Sequence, residues 1–234
     1  MKKKRITAAL LALGLSAVTI CSQLPVFATE ETAQATDTDA QPQTADPSVV
    51  TTNGIDGWPQ ASDISSTAAI VMETSTNTVL YSKNADQALY PASAVKVMTC
   101  LVALENSSLD DQVTMTATGV SGVTDGGANI SSQLDEVFTM EQCLYAIMVA
   151  SANDIALQVA EHVGGSVDAF VQTMNARAQE LGCTNTVFTN PTGLPDENQH
   201  ITAHDMALIM EAAMANETFR TIAATTSYTL PATN

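Results

Sequence analysis

The period of the apolar residues changes near residue 91, and this change constrains the fold more than any other feature of the chain. Before it, the apolar segments 68–73 and 79–82 flank the polar residues 75–78, a pattern typical of a β-hairpin. After it, apolar residues follow the helical period over 92–104, with Pro91 at a position where a helix start tolerates proline. The sequence therefore predicts a fold that contains both strands and helices.

The rest of the chain is predicted to be mostly helical. Thr139 and Gln142 have the spacing of a capping box, and Ser166 is a candidate cap for a helix that Gly182 ends. Apolar patterns predict helices over 143–149, 155–163, 166–182 and 202–215, a polar stretch at 217–220, and a strand over 226–230. The acids at 110–111 and 135–136 are predicted to be solvated. A lone strand needs neighbours, so we expect the sequence to be cut short.

The first 28 residues have the pattern of a secretory signal peptide. Four basic residues at 2–5 precede the apolar run 6–20, and small residues allow cleavage after Ala28. An uncleaved membrane anchor is the alternative. Residues 29 to about 56 have almost no large apolar side chain, and the segment 29–61 is predicted to form a disordered tether. This leaves 62–234 as one folded domain of an exported protein.

Charge and cysteine content exclude several function classes. The formal net charge of −17 argues against nucleic acid as a partner. Cys100, Cys143 and Cys183 are widely spaced and lie beside apolar residues, so we predict buried free thiols rather than a disulfide framework. His200 and His204 are four residues apart, and His162 is the third histidine, but no glutamate completes a zinc-protease motif, and no metal is expected.

Ser93 and Lys96 form the first chemical motif, at the start of the predicted helix after Pro91. Residues three apart share one helix face. A serine hydroxyl becomes a nucleophile when a base takes its proton, and a lysine is a base only when burial favours its neutral form. The apolar neighbours of Lys96 favour that burial, and the Ser93 backbone N–H is a candidate oxyanion donor. An ordinary surface serine and lysine would show the same spacing.

Ser151 and Asn153 form the second motif, in the polar segment 151–154 between two apolar helical stretches. A polar break there is costly to bury unless its groups find partners. The alternative is a simple helix–helix turn in which Asp154 is the N-cap. The order Ser-x-x-Lys followed by Ser-x-Asn is that of penicillin-recognising serine enzymes.

Several segments together resemble the D-alanyl-D-alanine carboxypeptidase family of low-molecular-mass penicillin-binding proteins, peptidase family S11. The segments are 90–99 (Tyr-Pro-Ala-Ser-Ala-Val-Lys-Val-Met-Thr), 151–157 (Ser-Ala-Asn-Asp-Ile-Ala-Leu), 160–165 (Ala-Glu-His-Val-Gly-Gly), 184–196 (Thr-Asn-Thr-Val-Phe-Thr-Asn-Pro-Thr-Gly-Leu-Pro-Asp) and 219–222 (Phe-Arg-Thr-Ile). They keep the family order from about residue 63 onward.

The resemblance implies an α/β fold of the α+β type, β-lactamase/transpeptidase-like, with an antiparallel sheet flanked by a helical cluster. It implies that Ser93 forms an acyl-enzyme, that Lys96 is its base, that Ser151 passes the proton toward the leaving group, and that Asn153 holds Lys96 and the substrate amide. The implied partners are β-lactams and a peptidoglycan stem peptide ending in D-Ala-D-Ala, with no cofactor. The implied role is peptidoglycan biosynthesis, cell-wall biogenesis and cell shape, outside the cytoplasm.

One family element is not found. The family has a Lys-Thr-Gly motif on a later strand, whereas this sequence has no lysine after Lys96, and Thr192-Gly193 lies in a different motif. We therefore expect a partial or truncated sequence without the C-terminal strands, whose release of D-alanine from D-Ala-D-Ala peptides is weak.

Two alternatives remain open. The first is a β-lactamase, which needs a glutamate to activate water, for which Glu197 is the nearby candidate. The second is a non-catalytic relative that binds the wall or penicillin.

Overall fold

The computed structural model describes residues 5–7, 49–50, 64–122 and 127–233. Within these ranges the strands are β1 (Arg5–Thr7), β2 (Val49–Val50), β3 (Ala69–Glu73), β4 (Thr78–Lys83), β5 (Gln112–Thr114), β6 (Val137–Thr139) and β7 (Ser227–Thr229). The α-helices are α1 (Val95–Asn106), α2 (Ala117–Ser121), α3 (Met140–Ala150), α4 (Asn153–Gly164), α5 (Val167–Glu180), α6 (Ala203–Ala215) and α7 (Glu217–Ala223). One turn of 3-10 helix, Ala92–Ala94, directly precedes α1.

The hairpin predicted from the alternating segments is confirmed. β3 and β4 pair antiparallel, with Ala69 opposite Lys83 and a register shift after Val71. The Glu73 carboxylate stabilises the turn, because it accepts hydrogen bonds from the backbone and hydroxyl groups of Ser75 and Thr76 at 2.6–3.0 Å.

The remaining strands also pair antiparallel. β2 lies on the other edge of β4, which gives the order β2-β4-β3, and β5 pairs with β6 while β1 pairs with β7. Of the predicted signal peptide and tether, the structure describes only β1 and β2. At Val49–Val50 a strand is found where disorder was predicted; the rest of both segments lies outside the described residues, so their boundaries stay a prediction.

Helix α1 lies at the centre of the core. Its first nine residues, 95–103, are all buried, and it packs against α3, α4, α5 and α6. Apart from Lys96 and Thr99 these nine residues are apolar, and a helix that is apolar on most sides is expected to be enclosed in this way. The three cysteines of the domain are buried and free, as predicted. None of the described helices combines the length and apolarity that a membrane span requires.

The predicted caps are confirmed. Thr139 and Gln142 form a complete capping box at the start of α3, and the Ser166 hydroxyl accepts from the Ala169 N–H at 3.1 Å at the start of α5. Thr202 caps α6 in the same way. These hydrogen bonds satisfy backbone donors that the first turn of a helix leaves free.

The helix predicted over 92–104 is present, as a 3-10 turn followed by α1, and it continues to Asn106. Two other local expectations differ from the structure. The polar stretch at 217–220 belongs to α7, which buries Phe219. Glu136 is buried rather than solvated, since its carboxylate accepts from the Gln133 N–H at 2.7 Å and the Thr233 hydroxyl at 2.5 Å.

Candidate active site

Ser93 lies in the 3-10 turn that leads into α1, with its side chain exposed. The preceding residue, Ala92, has a φ of +47°, in the left-handed region that residues with a Cβ rarely adopt. The turn holds Ser93 at the surface, while Lys96, one turn further along, lies in the core with 3% of its surface exposed. Lys96 Nζ is 3.4 Å from Ser93 Oγ.

Lys96 has few polar neighbours for a buried charge. Its Nζ donates to the Thr192 carbonyl at 2.5 Å, and no carboxylate among the described residues forms a salt bridge with it. Burial lowers the pKa of Lys96 from its ordinary 10.5 to about 8, because removal from water disfavours the charged form. About a tenth of the amine is therefore neutral at pH 7 and can accept a proton.

Ser151 lies at the junction between α3 and α4, where the sequence predicts a polar break. As the C-cap of α3 it adopts a left-handed φ of +55°, which directs the chain sharply into α4. Its hydroxyl donates to Ser93 Oγ at 3.1 Å. The structure thus brings Ser93, Lys96 and Ser151 into one hydrogen-bonded cluster, with Ser93 Oγ in the middle.

Asn153, the fourth predicted residue, begins α4 and is buried. Its backbone N–H donates to the Ala128 carbonyl at 2.8 Å, and its Nδ2 lies against Gly127, where a Cβ would come within 2.5 Å. Its Oδ1 has no hydrogen-bond partner, unlike every other buried side-chain polar atom in the described ranges. In the described structure no hydrogen bond joins Asn153 Oδ1 to Lys96. Oδ1 is an acceptor available to a ligand N–H.

The turn interpretation made Asp154 the N-cap of α4, and the structure contradicts this. Ala152 occupies that position, and Asp154 is buried in the first turn of the helix. Its carboxylate accepts from the backbone N–H groups of Ile130 (3.3 Å), Ser132 (3.1 Å) and Ile155 (3.0 Å) and from the Ser132 hydroxyl (2.8 Å). Asp154 thereby holds the segment beside Asn153 against α4.

Sequence reasoning missed the contribution of the 190–194 loop (Asn-Pro-Thr-Gly-Leu). Two of its carbonyls accept hydrogen bonds from α1: that of Thr192 from Lys96, and that of Pro191 from the Thr99 hydroxyl at 2.8 Å. The Asn-Pro-Thr-Gly pattern is turn chemistry and could have indicated a tight loop. Its position over α1 depends on tertiary packing between residues more than 90 positions apart.

The histidines are not part of this cluster. His162 is exposed, His200 Nδ1 lies 3.1 Å from the Asn198 carbonyl, and His204 Nδ1 lies 3.2 Å from Asp86 Oδ1. Across the described ranges, no three His, Cys, Asp or Glu side chains are grouped so that they could hold a metal ion.

An exposed serine beside a desolvated lysine and a second serine is an arrangement that can support nucleophilic acyl transfer. Residues 56–233 match the sequence profile of the D-alanyl-D-alanine carboxypeptidase family, peptidase family S11. The chain belongs to this family, as the sequence motifs predict.

Individual relatives agree with this assignment. The chain is 37% identical over 155 residues to D-alanyl-D-alanine carboxypeptidase DacF of Bacillus subtilis, an alignment that covers 64% of this chain and 39% of the relative. The crystal structure of penicillin binding protein 5 from Haemophilus influenzae is similar with a TM-score of 0.64, 31% identity, and coverage of 68% of this chain and 47% of the other.

A third relative is a solved D-alanyl-D-alanine carboxypeptidase from Mycobacterium tuberculosis. It is similar with a TM-score of 0.67 and 30% identity, and the match covers 75% of this chain and 69% of that one. The predicted β-lactamase/transpeptidase-like fold, with helices around antiparallel strands, is confirmed by these neighbours. The chain spans less than half the length of the Bacillus relative.

Proposed function

We propose that the protein is a serine-type D-Ala-D-Ala carboxypeptidase that removes the terminal D-alanine from peptidoglycan stem peptides and is inhibited by penicillin. The observation that carries this proposal is the position of Ser93 Oγ, 3.4 Å from the buried Lys96 amine and 3.1 Å from the Ser151 hydroxyl. The family membership of residues 56–233 supports the choice of substrate.

Acylation begins when the neutral Lys96 amine takes the proton of the Ser93 hydroxyl. Ser93 Oγ attacks the carbonyl carbon of the penultimate D-alanine, and a tetrahedral oxyanion forms. We assign the stabilisation of this charge to the backbone N–H of Ser93, which lies in the 3-10 turn before α1. The low pKa of Lys96 matters here, because a base works best when its pKa lies near the working pH.

Collapse of the tetrahedral intermediate breaks the peptide bond. The leaving D-alanine nitrogen needs a proton, and the Ser151 hydroxyl, in contact with Ser93 Oγ, can pass on the one that Lys96 took. Water then attacks the Ser93 ester, with Lys96 again as base, and releases the shortened stem peptide. A β-lactam would form an analogous ester on Ser93 through opening of its ring.

Asn153 provides the binding group in this scheme. Its Oδ1 is buried without a partner, and an unsatisfied buried acceptor costs roughly 1–3 kcal/mol. A substrate backbone N–H would relieve this cost, so we assign Asn153 to orientation of the stem peptide.

The alternatives have less support. A β-lactamase would need a glutamate near the acyl bond, whereas Glu197 is exposed and forms no hydrogen bond with the Ser93 cluster in the described structure. A non-catalytic relative would have no need for a buried lysine beside an exposed serine. The proposed location is outside the cytoplasm at the cell wall, where the substrate is found.

Intact-mass spectrometry after incubation with benzylpenicillin tests the proposal. We expect one covalent adduct that peptide mapping places on Ser93, loss of the adduct in Ser93→Ala, and normal labelling in Ser121→Ala, whose serine is exposed at the end of α2. A folded chain without an adduct would contradict the acyl-enzyme. Rapid turnover of the penicillin would instead favour the β-lactamase alternative.

A further inference from the structure

Two successive residues of the 190–194 loop contact the two members of the nucleophile pair. The Thr192 carbonyl accepts from Lys96 Nζ at 2.5 Å. The next residue, Gly193, lies against the peptide between Ala92 and Ser93. One short loop therefore contacts both the base and the backbone that carries the nucleophile.

The contact at Gly193 leaves no room for a side chain. A Cβ at this position would lie 1.9 Å from the Ala92 carbonyl oxygen and 2.9 Å from the Ser93 nitrogen, and Gly193 has a φ of +81°. On the other side of the contact, Ala92 has its unfavourable φ of +47°. A strained conformation persists only where its surroundings enforce it, and the Gly193 backbone is the group packed against it.

Asn190 builds the turn that places these two residues. Its Oδ1 accepts from the Thr192 N–H (3.1 Å), the Thr192 hydroxyl (2.8 Å) and the Gly193 N–H (2.8 Å), and its Nδ2 donates to the Leu194 carbonyl at 3.1 Å. One carboxamide thus connects every residue of the loop that follows Pro191.

We propose that Asn190 and Gly193 are positioning residues, which hold the 190–194 loop so that Lys96 Nζ and Ser93 Oγ stay within reach of each other. This inference rests on the proposed acyl-enzyme. Misplacement of reacting groups by about 1 Å can slow a reaction by about 100-fold. The loop also covers the Lys96 amine, so its loosening would admit water to that amine.

The first test compares glycines. We expect Gly193→Ala to slow acylation by benzylpenicillin by roughly 30-fold or more. Gly165→Ala and Gly182→Ala are the matched controls, because both glycines have a positive φ (+73° and +85°) but open space at the Cβ position. The controls carry the same backbone strain and should keep the parent acylation rate. An equal loss in all three variants would assign the effect to strain and overturn the role of Gly193.

The second test compares asparagines and does not depend on whether Gly193→Ala folds. Asn190→Ala should slow acylation by at least about tenfold. Asn175→Ala is the control, because Asn175 holds a nearby segment through similar bonds, to the Phe188 N–H (2.9 Å) and carbonyl (2.8 Å), without contact to the site. Equal rates in the two variants, at equal melting temperature, would overturn the role of Asn190.

A third measurement separates this inference from the proposed function. The chain has five lysines, so ¹³Cε-lysine labelling gives a Lys96 signal that can be titrated by NMR without any acylation. We expect the pKa of Lys96 to rise by about one unit in Asn190→Ala, because water reaches the amine. In Asn175→Ala the pKa of Lys96 should be unchanged. If the parent chain is not acylated, the proposed function fails, and this titration still decides: an unchanged pKa in Asn190→Ala overturns the positioning role.

Discussion

Lys96 at the start of α1 and Asp154 at the start of α4 are buried to the same extent, each with 3% of its surface exposed, but their surroundings differ. The Asp154 carboxylate accepts hydrogen bonds from three backbone N–H groups and one hydroxyl at 2.8–3.3 Å. Lys96 has one carbonyl at 2.5 Å and one hydroxyl at 3.4 Å.

We propose that this difference separates a structural charge from a reactive one. A buried charge is tolerated when its hydrogen-bonding capacity is satisfied, and its removal then leaves the partners unpaired. A buried charge with few partners is biased toward its neutral form. By this criterion Asp154 stabilises the architecture beside Asn153, whereas Lys96 is available for proton transfer.

The largest effect is expected from removal of the base. Lys96→Met keeps the length of the side chain but has no amine, so acylation of Ser93 by benzylpenicillin should slow by about 1,000-fold, within the range of general-base contributions. Stopped-flow or quenched mass measurements of adduct formation would give the rate. The free energy of unfolding should stay the same or rise, because a poorly satisfied charge is lost from the core.

Lys83→Met is the control for that variant. Lys83 donates to the Ile64 carbonyl at 2.7 Å and lies in β4, outside the site. It should be acylated at the parent rate. A Lys96→Met rate within threefold of the Lys83→Met rate would mean that Lys96 is not the base.

The opposite pattern is expected at Asp154. Asp154→Ala leaves four donors, three of them in buried hydrogen bonds, without their acceptor, and the free energy of unfolding should fall by about 3 kcal/mol. Asp168→Ala is the matched control: this aspartate also lies in the first turn of its helix, α5, but is exposed. Its loss should be about 0.5 kcal/mol, the helix-dipole contribution alone. Equal losses of the free energy of unfolding in Asp154→Ala and Asp168→Ala, measured by urea denaturation, would mean that the buried and the exposed aspartate do not differ in their contribution.

The pH dependence of acylation sharpens the assignment to Lys96. In the proposed mechanism the reactive form is the neutral amine, and the pKa of Lys96 is lowered to about 8. The acylation rate should therefore rise about tenfold per pH unit below about pH 8 and level off above it. A rate that is flat between pH 6 and pH 8, measured with benzylpenicillin, would show that the proton goes to another group.

Local features of the fold could be predicted because local residues determine them. The β3–β4 hairpin follows from alternating apolar residues around a polar turn, and the capping box at Thr139 follows from a spacing of three. The short helix α7 was missed because its charged first residues mask Phe219 and Ile222, whose burial depends on the rest of the core. The spacing of residues in the sequence does not show which distant residues will bury a side chain.

The candidate site likewise combines features that local sequence predicts with features that depend on distant residues. The pairing of Ser93 with Lys96, and the junction that carries Ser151, could be predicted from spacing and from the polar break. The contact of Thr192 with Lys96 and that of Gly193 with Ala92 join distant segments. The buried state of Asp154 was also missed, because its donors at 130 and 132 come from a loop rather than from its own helix.

The smallest effect is expected where a polar group caps a helix at the surface side of the fold. Thr139 caps α3, the helix that ends at Ser151, and accepts from the Gln142 N–H at 3.2 Å. Thr139→Ala should lower the free energy of unfolding by about 1 kcal/mol, the usual contribution of an N-cap, and leave the acylation rate unchanged. Thr173→Ala, within α5, is the control and should cost less, since its hydroxyl bonds a carbonyl of its own helix. If Thr139→Ala lowered the free energy of unfolding as much as Asp154→Ala, the large effect at Asp154 could not be assigned to burial of its charge.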